Sequence, residues 1–498
     1  MDFENDDELF EEDDNSTIGI ESVDKFAALG NDEVKKLADN GDAEAQLAYG
    51  VRMLYGDDSM EDKDTAFRYF SASAENGCAD GMYFLGRAYH LGEGTEADSV
   101  KAAGYFAAAA EKGSIRASHS LGVCYDLGEG LPIDKEKAIF WYERAAQGGF
   151  AMSQYNLALS YETGDGVEQN YDLAVYWYEK AAEQEHAEAL CNLGYCYETG
   201  QGVVPDQKKT FELYKKAADF GNNVAQQNLG LMYMTGTACE VDKNLGYMYF
   251  DMAAQQGNTN ALFALGRCYE YGDGVEHDLQ RAIEYFMEAA EKGNLAAKRE
   301  IGIRYYYGNG LEKDFEKALT WTRDAADNGD PVAQVNMALF YFREGDDNID
   351  EALEYLRMAA DLGYSSAYYQ LARFYYDTES DYRDRQKAIE YYTIAASMGH
   401  DGAQHSLGWI YEHGDGTVEP DMQEAFKWYN EAIKEDNPFA LFALAYHYEL
   451  GEFMEEDPAK AVDLYRQSAE QGHDAAATNL SLCYLRGYGV ERDLEKGL

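Results

Sequence analysis

Long apolar runs and proline are both scarce in this chain of 498 residues. No stretch approaches the roughly 18 consecutive apolar residues that a membrane-spanning helix needs, so membrane insertion is not expected. The first residues hold neither a basic region nor an apolar core, and we therefore expect no secretion signal there. Only six prolines accompany 46% apolar residues, a balance that favours helices around a buried core.

Basic residues are also in short supply. Forty-one lysines and arginines stand against 93 acidic residues, and the net charge is −52. A surface of this sign repels phosphate, which argues against nucleic-acid binding and against attraction to anionic membranes. Two interpretations stay open: the charge keeps a long molecule soluble and monomeric, or it draws in basic partners.

A disulfide framework is not expected either. The chain has seven cysteines, and an odd number without a secretion signal favours reduced thiols. We therefore predict a cytoplasmic protein.

The sequence repeats itself along most of its length. This organisation fits its length, because 498 residues are too many for one compact core. A small residue, usually preceded by leucine, recurs along the sequence in thirteen segments. A tyrosine follows it three residues later in twelve of them, and Met53 is the exception. The step between segments is 36 residues from Gly50 to Ala338. The small residues are Gly50, Gly86, Gly122, Ala158, Gly194, Gly230, Gly266, Gly302, Ala338, Ala372, Gly408, Ala445 and Ser481.

Each segment predicts two helices. The first carries leucine, the small residue and tyrosine at helical spacing, and the small residue would let a neighbouring helix approach closely. A glycine turn follows, such as GEG at 92–94, and then a second helix such as the one around Trp141 and Tyr142. A further glycine closes most segments. All six prolines fall in predicted loops or at predicted helix starts.

The pattern A…LG..Y..G.GV..D..KA..WY.KAA..G resembles the Sel-one-like repeat, a relative of the tetratricopeptide repeat. The resemblance implies an all-α fold, a right-handed α/α superhelical solenoid of about twelve to thirteen helix-turn-helix repeats over residues 42–498, with the last repeat incomplete. Residues 19–41 are expected to form N-terminal capping helices, and residues 1–18 a disordered acidic tail. Glu185 and Asp436 depart from the pattern because they replace the closing glycine.

Several features suggest chemistry but are better explained by architecture. The Gly-x-Gly loops follow helices and lack the Lys-Ser/Thr of a phosphate-binding loop, so we interpret them as turns. Cys124, Cys196, Cys268 and Cys483 share one slot two residues after the small residue, and at least two repeats separate them. His447 fills that slot next to Cys483, but two ligands do not make a metal site. We expect no cofactor, no metal and no catalytic activity.

The resemblance to tetratricopeptide arrays implies that first helices line a concave surface. Positions three before, one after and four after the small residue should then point inward. They carry aromatic residues, arginines and histidines, and the first two types are enriched at interface hot spots. The alternative is that some of these aromatics pack between helices. The predicted partner-binding residues are Tyr83, Arg87, His90, Tyr155, Tyr195, Phe263, Arg267, Arg299, Tyr306, Phe342, Tyr369, Arg373, Tyr376, His405, Trp409, Phe442 and Tyr446.

The sequence thus predicts a scaffold or adaptor that binds a peptide or a partner protein on its concave surface. Two alternatives stay open. One is an electrostatic binder of basic proteins that uses the acidic surface. The other is the regulatory region of a larger enzyme that continues past residue 498.

Overall fold

The fold is an all-α solenoid in which consecutive helices pack side by side. A computed structural model describes residues 21–55, 62–345, 348–379 and 382–497. The predicted acidic tail at residues 1–18 lies outside the described residues. In the described part of the chain there is no β-strand, and no helix combines the length and apolar character needed to cross a bilayer.

Two short helices come first, α1 (Glu21–Asp24) and α2 (Asn31–Asp39). Both pack on the first helix of repeat 1. Phe26 and Val34 are buried there. The guanidinium of Arg52 donates hydrogen bonds to the backbone carbonyls of Phe26 and Leu29, which fixes the chain between the two helices.

The thirteen first helices are odd-numbered from here on. They are α3 (Ala43–Leu54), α5 (Ala79–Leu91), α7 (Ile115–Leu127), α9 (Ala151–Thr163), α11 (Ala187–Thr199), α13 (Asn223–Thr235), α15 (Thr259–Tyr271), α17 (Leu295–Tyr307), α19 (Pro331–Glu344), α21 (Ser365–Asp377), α23 (Asp401–His413), α25 (Pro438–Leu450) and α27 (Asp474–Arg486).

The second helices are even-numbered and alternate with them. They are α4 (Lys63–Glu75), α6 (Ser99–Glu111), α8 (Lys135–Gln147), α10 (Tyr171–Ala182), α12 (Gln207–Asp219), α14 (Lys243–Gln255), α16 (Leu279–Glu291), α18 (Phe315–Asp327), α20 (Ile349–Asp361), α22 (Arg385–Ser397), α24 (Met422–Ala432) and α26 (Pro458–Glu470). A short 3₁₀ turn, Ile433–Glu435, extends α24.

Aspartate starts most of the second helices. In α8, the Asp134 carboxylate accepts a hydrogen bond from the backbone N–H of Lys137, which satisfies a donor that the helix itself leaves unpaired. The backbone N–H of Asp134 donates to the carbonyl of Tyr125 at the end of α7. The same pair of bonds recurs at Asp98 and Asp314, so this aspartate joins the two helices of a repeat. Part of the acidic excess is therefore structural.

Glycine ends most first helices in the left-handed conformation, as predicted. Gly128 has φ of +82° and follows α7 directly. At the close of a repeat, Glu185 and Asp436 adopt the same conformation, with φ of +66° and +53°. The backbone geometry is thus kept at both positions although a side chain is present. The prolines also lie as predicted, with Pro331, Pro438 and Pro458 at the first position of a helix.

The small residue of each first helix is where the two helices of a repeat approach most closely. A Cβ atom added at Gly122 would lie 2.6 Å from Cδ1 of Tyr142 in α8. Tyr142 is fully buried, and its ring occupies the space that the missing side chain leaves. The predicted close approach is confirmed.

The contacts divide the chain into two compact units. The first runs to Ala261 and includes Tyr271–Glu276, and the second comprises Leu262–Glu270 and the chain from His277 onward. The division falls within α15. Each unit has its own alanine-rich core between first and second helices, for example around Ala181 and Ala217 in the first unit and around Ala359 and Ala395 in the second.

Candidate partner-binding surface

Of the three positions that the sequence predicts to point inward, the one directly after the small residue most often reaches solvent. Successive residues of a helix are about 100° apart, so this position is turned away from the close helix contact. Its side chains form what we call the first-helix stripe, which lies along the first helices of each unit. Its exposed members in the first unit are Tyr195 and Leu231, and those in the second unit are Arg267, Arg373, Trp409, Tyr446 and Leu482.

Five stripe residues belong to the sequence-predicted set, and Leu231 and Leu482 do not. The predicted set holds only arginine, histidine and aromatic residues, and these two leucines occupy the same slot. Arg87, also at this position, is half-buried and lies over the ring of Tyr55 at 5.4 Å.

Side chains three residues before the small residue pack between helices. The ring of Tyr155 stacks on His186 at 5.0 Å, and the ring of Tyr369 stacks on His400 at 4.4 Å. In both pairs the histidine begins the first helix of the next repeat. Phe442 stacks on His473 in the same way at 4.7 Å.

Other predicted residues at this position contact the second helix of their own repeat. Tyr83 contacts Phe106, Phe263 contacts Phe286, and His405 contacts Tyr429, with ring centroids 5.3–6.0 Å apart. Arg299 forms an ion pair with Asp330, which begins the next first helix. These side chains therefore hold the repeats together, and most of their surface is covered.

Side chains four residues after the small residue are also largely packed. Tyr306 is buried and stacks on Phe340 at 4.1 Å. Phe342 stacks on Phe374 at 5.1 Å. His90 lies 3.4 Å from Glu129 of the next repeat, and Tyr376 contacts Tyr392 at 6.2 Å. Helical spacing places all three positions on one side of the helix, but it does not reveal which of them a neighbouring repeat covers.

A series of tyrosine–carboxylate hydrogen bonds runs inside the repeats and is not among the features predicted above. A buried tyrosine of the second helix donates to an acidic residue four positions after the small residue of the first helix. The pairs are Tyr142–Asp126, Tyr178–Glu162, Tyr214–Glu198, Tyr429–Glu412 and Tyr465–Glu449, at 2.5–3.1 Å. Burial, together with the neighbouring carboxylate, holds the pKa of these phenols well above the usual range.

The sequence does contain a signal for these pairs. In repeats 1, 2 and 6, where Leu54, His90 and Met234 replace the acidic residue, the second helix carries Phe70, Phe106 or Phe250 instead of tyrosine. Repeat 7 is an exception, because Glu270 faces Phe286. There the carboxylate pairs with Arg304 of the next repeat.

Arg304 occupies the slot that cysteine fills in other repeats. It is only 1% exposed, it pairs with Glu270 and Glu300, and its guanidinium lies over the ring of Phe286. His447 fills the slot later in the second unit, and its Nε2 lies 3.2 Å from Glu412. The predicted small buried slot is confirmed for Cys124, Cys196, Cys268 and Cys483, and in two repeats it holds a buried cation or imidazole.

The first unit contains a cavity of about 810 Å³. The first helices of repeats 3 to 6 line it, together with the start of α8 and the loop after α9. Leu127, Leu159, Tyr155, Tyr195 and Val224 supply apolar walls. Tyr155 and Tyr195 are the two members of the predicted set that this cavity brings together.

Charged groups of the cavity are mostly acidic. Asp126, Glu162 and Asp165 line it, and Lys135 is the one basic residue among its described lining residues. The Lys135 ammonium lies 2.5 Å from Asp126 and 2.8 Å from Asp165, so a single cation serves two carboxylates. Glu162 accepts the hydrogen bond of Tyr178, and no lysine, arginine or histidine described here pairs with it.

The cysteines and acidic side chains of the described residues do not assemble a metal site, since no three such ligands come together there. All seven cysteines are free thiols. Burial raises the pKa of the Cys124, Cys191 and Cys196 thiols to about 12, which disfavours the reactive thiolate.

Comparison with known proteins agrees with this architecture. The model of the Sel1 repeat family matches thirteen segments that cover residues 43–400 and 402–498. A protective antigen of uropathogenic Escherichia coli that displays an SLR fold is 31% identical over 91% of this chain and 97% of that one, with a TM-score of 0.64. A Sel1 repeat protein from Oxalobacter formigenes is 34% identical over 49% of this chain and 96% of that one, with a TM-score of 0.46. A search of curated proteins finds no match. The chain belongs to the Sel1 repeat family.

Proposed function

We propose that this protein is an interaction scaffold that holds a partner protein or peptide on its first-helix stripe. The observation that carries the proposal is the repeated exposure of large side chains at one slot, directly after the small residue. In the second unit, Arg373, Trp409, Tyr446 and Leu482 fill this slot in consecutive repeats from α21 to α27, and all four are exposed.

A regular stripe suits an extended partner. First helices of successive repeats contact one another within each unit, for example α5 with α7 and α23 with α25. Helix axes in contact lie roughly 8–10 Å apart, and an extended peptide advances about 3.3 Å per residue. About every third residue of a bound peptide could therefore meet one stripe residue. The predicted cytoplasmic location of the chain belongs to the same proposal.

Site-directed variants in the second unit test the proposal. The chain carrying Arg267→Ala and Trp409→Ala is compared with wild type by affinity capture and quantitative mass spectrometry. Both substitutions remove exposed stripe side chains, so we expect at least one captured protein to be lost. A variant with Met358→Ala and Ile394→Ala is the matched control, because these exposed side chains lie on second helices of the same unit. If every captured protein stays bound to the stripe variant, the proposal is wrong.

The acidic surface suggests a different mode of binding, in which charge alone attracts basic proteins. Exposed charges are screened within about 10 Å at 0.1 M salt, so such binding is lost between low and physiological ionic strength. Partners held by the aromatic and aliphatic stripe residues of the second unit stay bound over this range, because such contacts are not screened by salt.

A further inference from the structure

The cavity of the first unit combines features that the stripe alone does not explain. Its volume of about 810 Å³ falls within the roughly 300–1,000 Å³ of typical ligand sites. Leucine, tyrosine and valine side chains give it apolar walls, and three carboxylates also line it among other polar residues. A ligand for this cavity therefore needs both an apolar body and positive charge.

We propose that this cavity is a receptor site for a basic peptide segment of a partner protein, in which a lysine or arginine stands beside a large apolar residue. The inference rests on the proposed scaffold function and specifies the partner for one part of the surface. Lysine and arginine bury an aliphatic stem and carry a charged end, which matches apolar walls next to carboxylates.

Glu162 is the group that receives the cation. Asp126 and Asp165 already share Lys135, whereas the Glu162 carboxylate has only the Tyr178 hydroxyl as a partner among the described residues. The tyrosine holds the carboxylate in place without neutralising it. A partner's cation at Glu162 gains a charge-assisted hydrogen bond in a site that is half shielded from water.

Tyr195 supplies the apolar side of the same site. Its ring is 45% exposed, and it both lines the cavity and belongs to the first-helix stripe. A peptide that crosses the stripe at α11 therefore reaches the cavity without leaving the surface. The net charge of −52 adds long-range attraction for a basic segment and speeds its encounter.

The probe for this site is a phage-displayed library of random dodecapeptides, selected on the purified full-length chain. Enriched peptides are then made synthetically and their Kd is measured by fluorescence anisotropy. We expect them to carry a lysine or arginine within two residues of a large apolar residue. Replacing that basic residue with glutamine should weaken binding at least about tenfold, since a hydrogen bond between charged groups is lost.

Two substitutions in the chain locate the bound cation. Glu162→Gln should weaken binding at least about tenfold, whereas Glu198→Gln should leave it unchanged. Glu198 makes the same tyrosine hydrogen bond in the next repeat, with Tyr214, but does not line the cavity. Lys135→Met should strengthen binding, because it releases Asp126 and Asp165 for the ligand.

Each outcome bears on the inference. Enriched peptides without basic residues, equal binding by the Glu162→Gln and Glu198→Gln variants, or unchanged affinity in Lys135→Met would overturn it, as would a library that yields no binder. If peptides bind Glu162→Gln normally but are lost with Arg267→Ala and Trp409→Ala, the scaffold function stands and only the basic-peptide site fails. Circular dichroism of each variant confirms that the fold is retained.

Discussion

At the residue scale, left-handed backbone positions determine where glycine is needed. Gly221 closes a repeat with φ of +93°, and an added Cβ atom there would meet nothing within 4 Å. Gly221→Ala should therefore lower the free energy of unfolding by about 1–2 kcal/mol through the backbone alone. The measurement is the urea midpoint of the helical circular dichroism signal.

Glu185 allows the opposite substitution, to glycine, because it is a non-glycine residue in the same left-handed conformation, with φ of +66°. Glu185→Gly removes the clash of Cβ with the backbone and should raise the free energy of unfolding by about 0.5–1 kcal/mol. A loss of stability in this variant would mean that contacts of the Glu185 side chain outweigh the backbone strain.

His405 gives the second unit a pH dependence. Burial lowers the pKa of its imidazole from 6.5 to about 4, despite the nearby carboxylates of Asp401 and Glu412. Between pH 6.5 and about pH 4, the imidazole is protonated in the unfolded chain but neutral in the folded chain. The free energy of unfolding is therefore at its full value above pH 6.5 and falls as the pH drops toward 4. The loss should reach about 2–3 kcal/mol.

The substitution His405→Phe isolates this effect, because it keeps a ring between Tyr429 and Phe439 but cannot titrate. Thermal unfolding at pH 7 and pH 4.5 should show a smaller difference for this variant than for wild type. Equal pH dependence in wild type and His405→Phe would contradict the assignment.

At the element scale, the fit of one helix against the next depends on the small residue. Gly122→Ala would place Cβ 2.6 Å from the Tyr142 ring, so the helices of repeat 3 must separate. We expect a loss of about 1–3 kcal/mol in the free energy of unfolding. Gly104→Ala is the control, since Gly104 lies in α6 with open space around it and alanine is the better helix former. Gly104→Ala should raise the free energy of unfolding. If Gly104→Ala and Gly122→Ala both lowered it, the effect at Gly122 would not be specific to the close helix contact.

Much at this scale could be predicted from the sequence. The 36-residue period, the glycine turns and the aspartates before second helices are local signals, and they place the helices correctly. Local signals cannot show which side chains the next repeat covers. Tyr155 and Tyr195 both fall on the predicted surface, yet His186 of the following repeat stacks on Tyr155, whereas Tyr195 is exposed. The cavity likewise arises from four repeats together.

At the scale of the whole molecule, each repeat contacts mainly its neighbours in sequence. Leu265 is fully buried in α15. Leu265→Ala should therefore lower the free energy of unfolding by about 2–5 kcal/mol. Hydrogen exchange should then show lost protection in α15 and adjoining helices, while α23 to α26 keep theirs. An equal loss of protection along the entire chain would mean that the repeats unfold as one block, against the solenoid account.

Site-specific photocrosslinking tests the central claim, that partners bind the first-helix stripe, most directly. A photoreactive phenylalanine is placed at Tyr195 or Trp409 of the stripe, or at Phe140 or Tyr176 on second helices. All four side chains are similarly exposed, at 45%, 44%, 54% and 48%, so the chance of random contact is matched. The account predicts specific crosslinked partners from the two stripe positions and none from the second-helix positions. Partners crosslinked only from Phe140 and Tyr176 would contradict it.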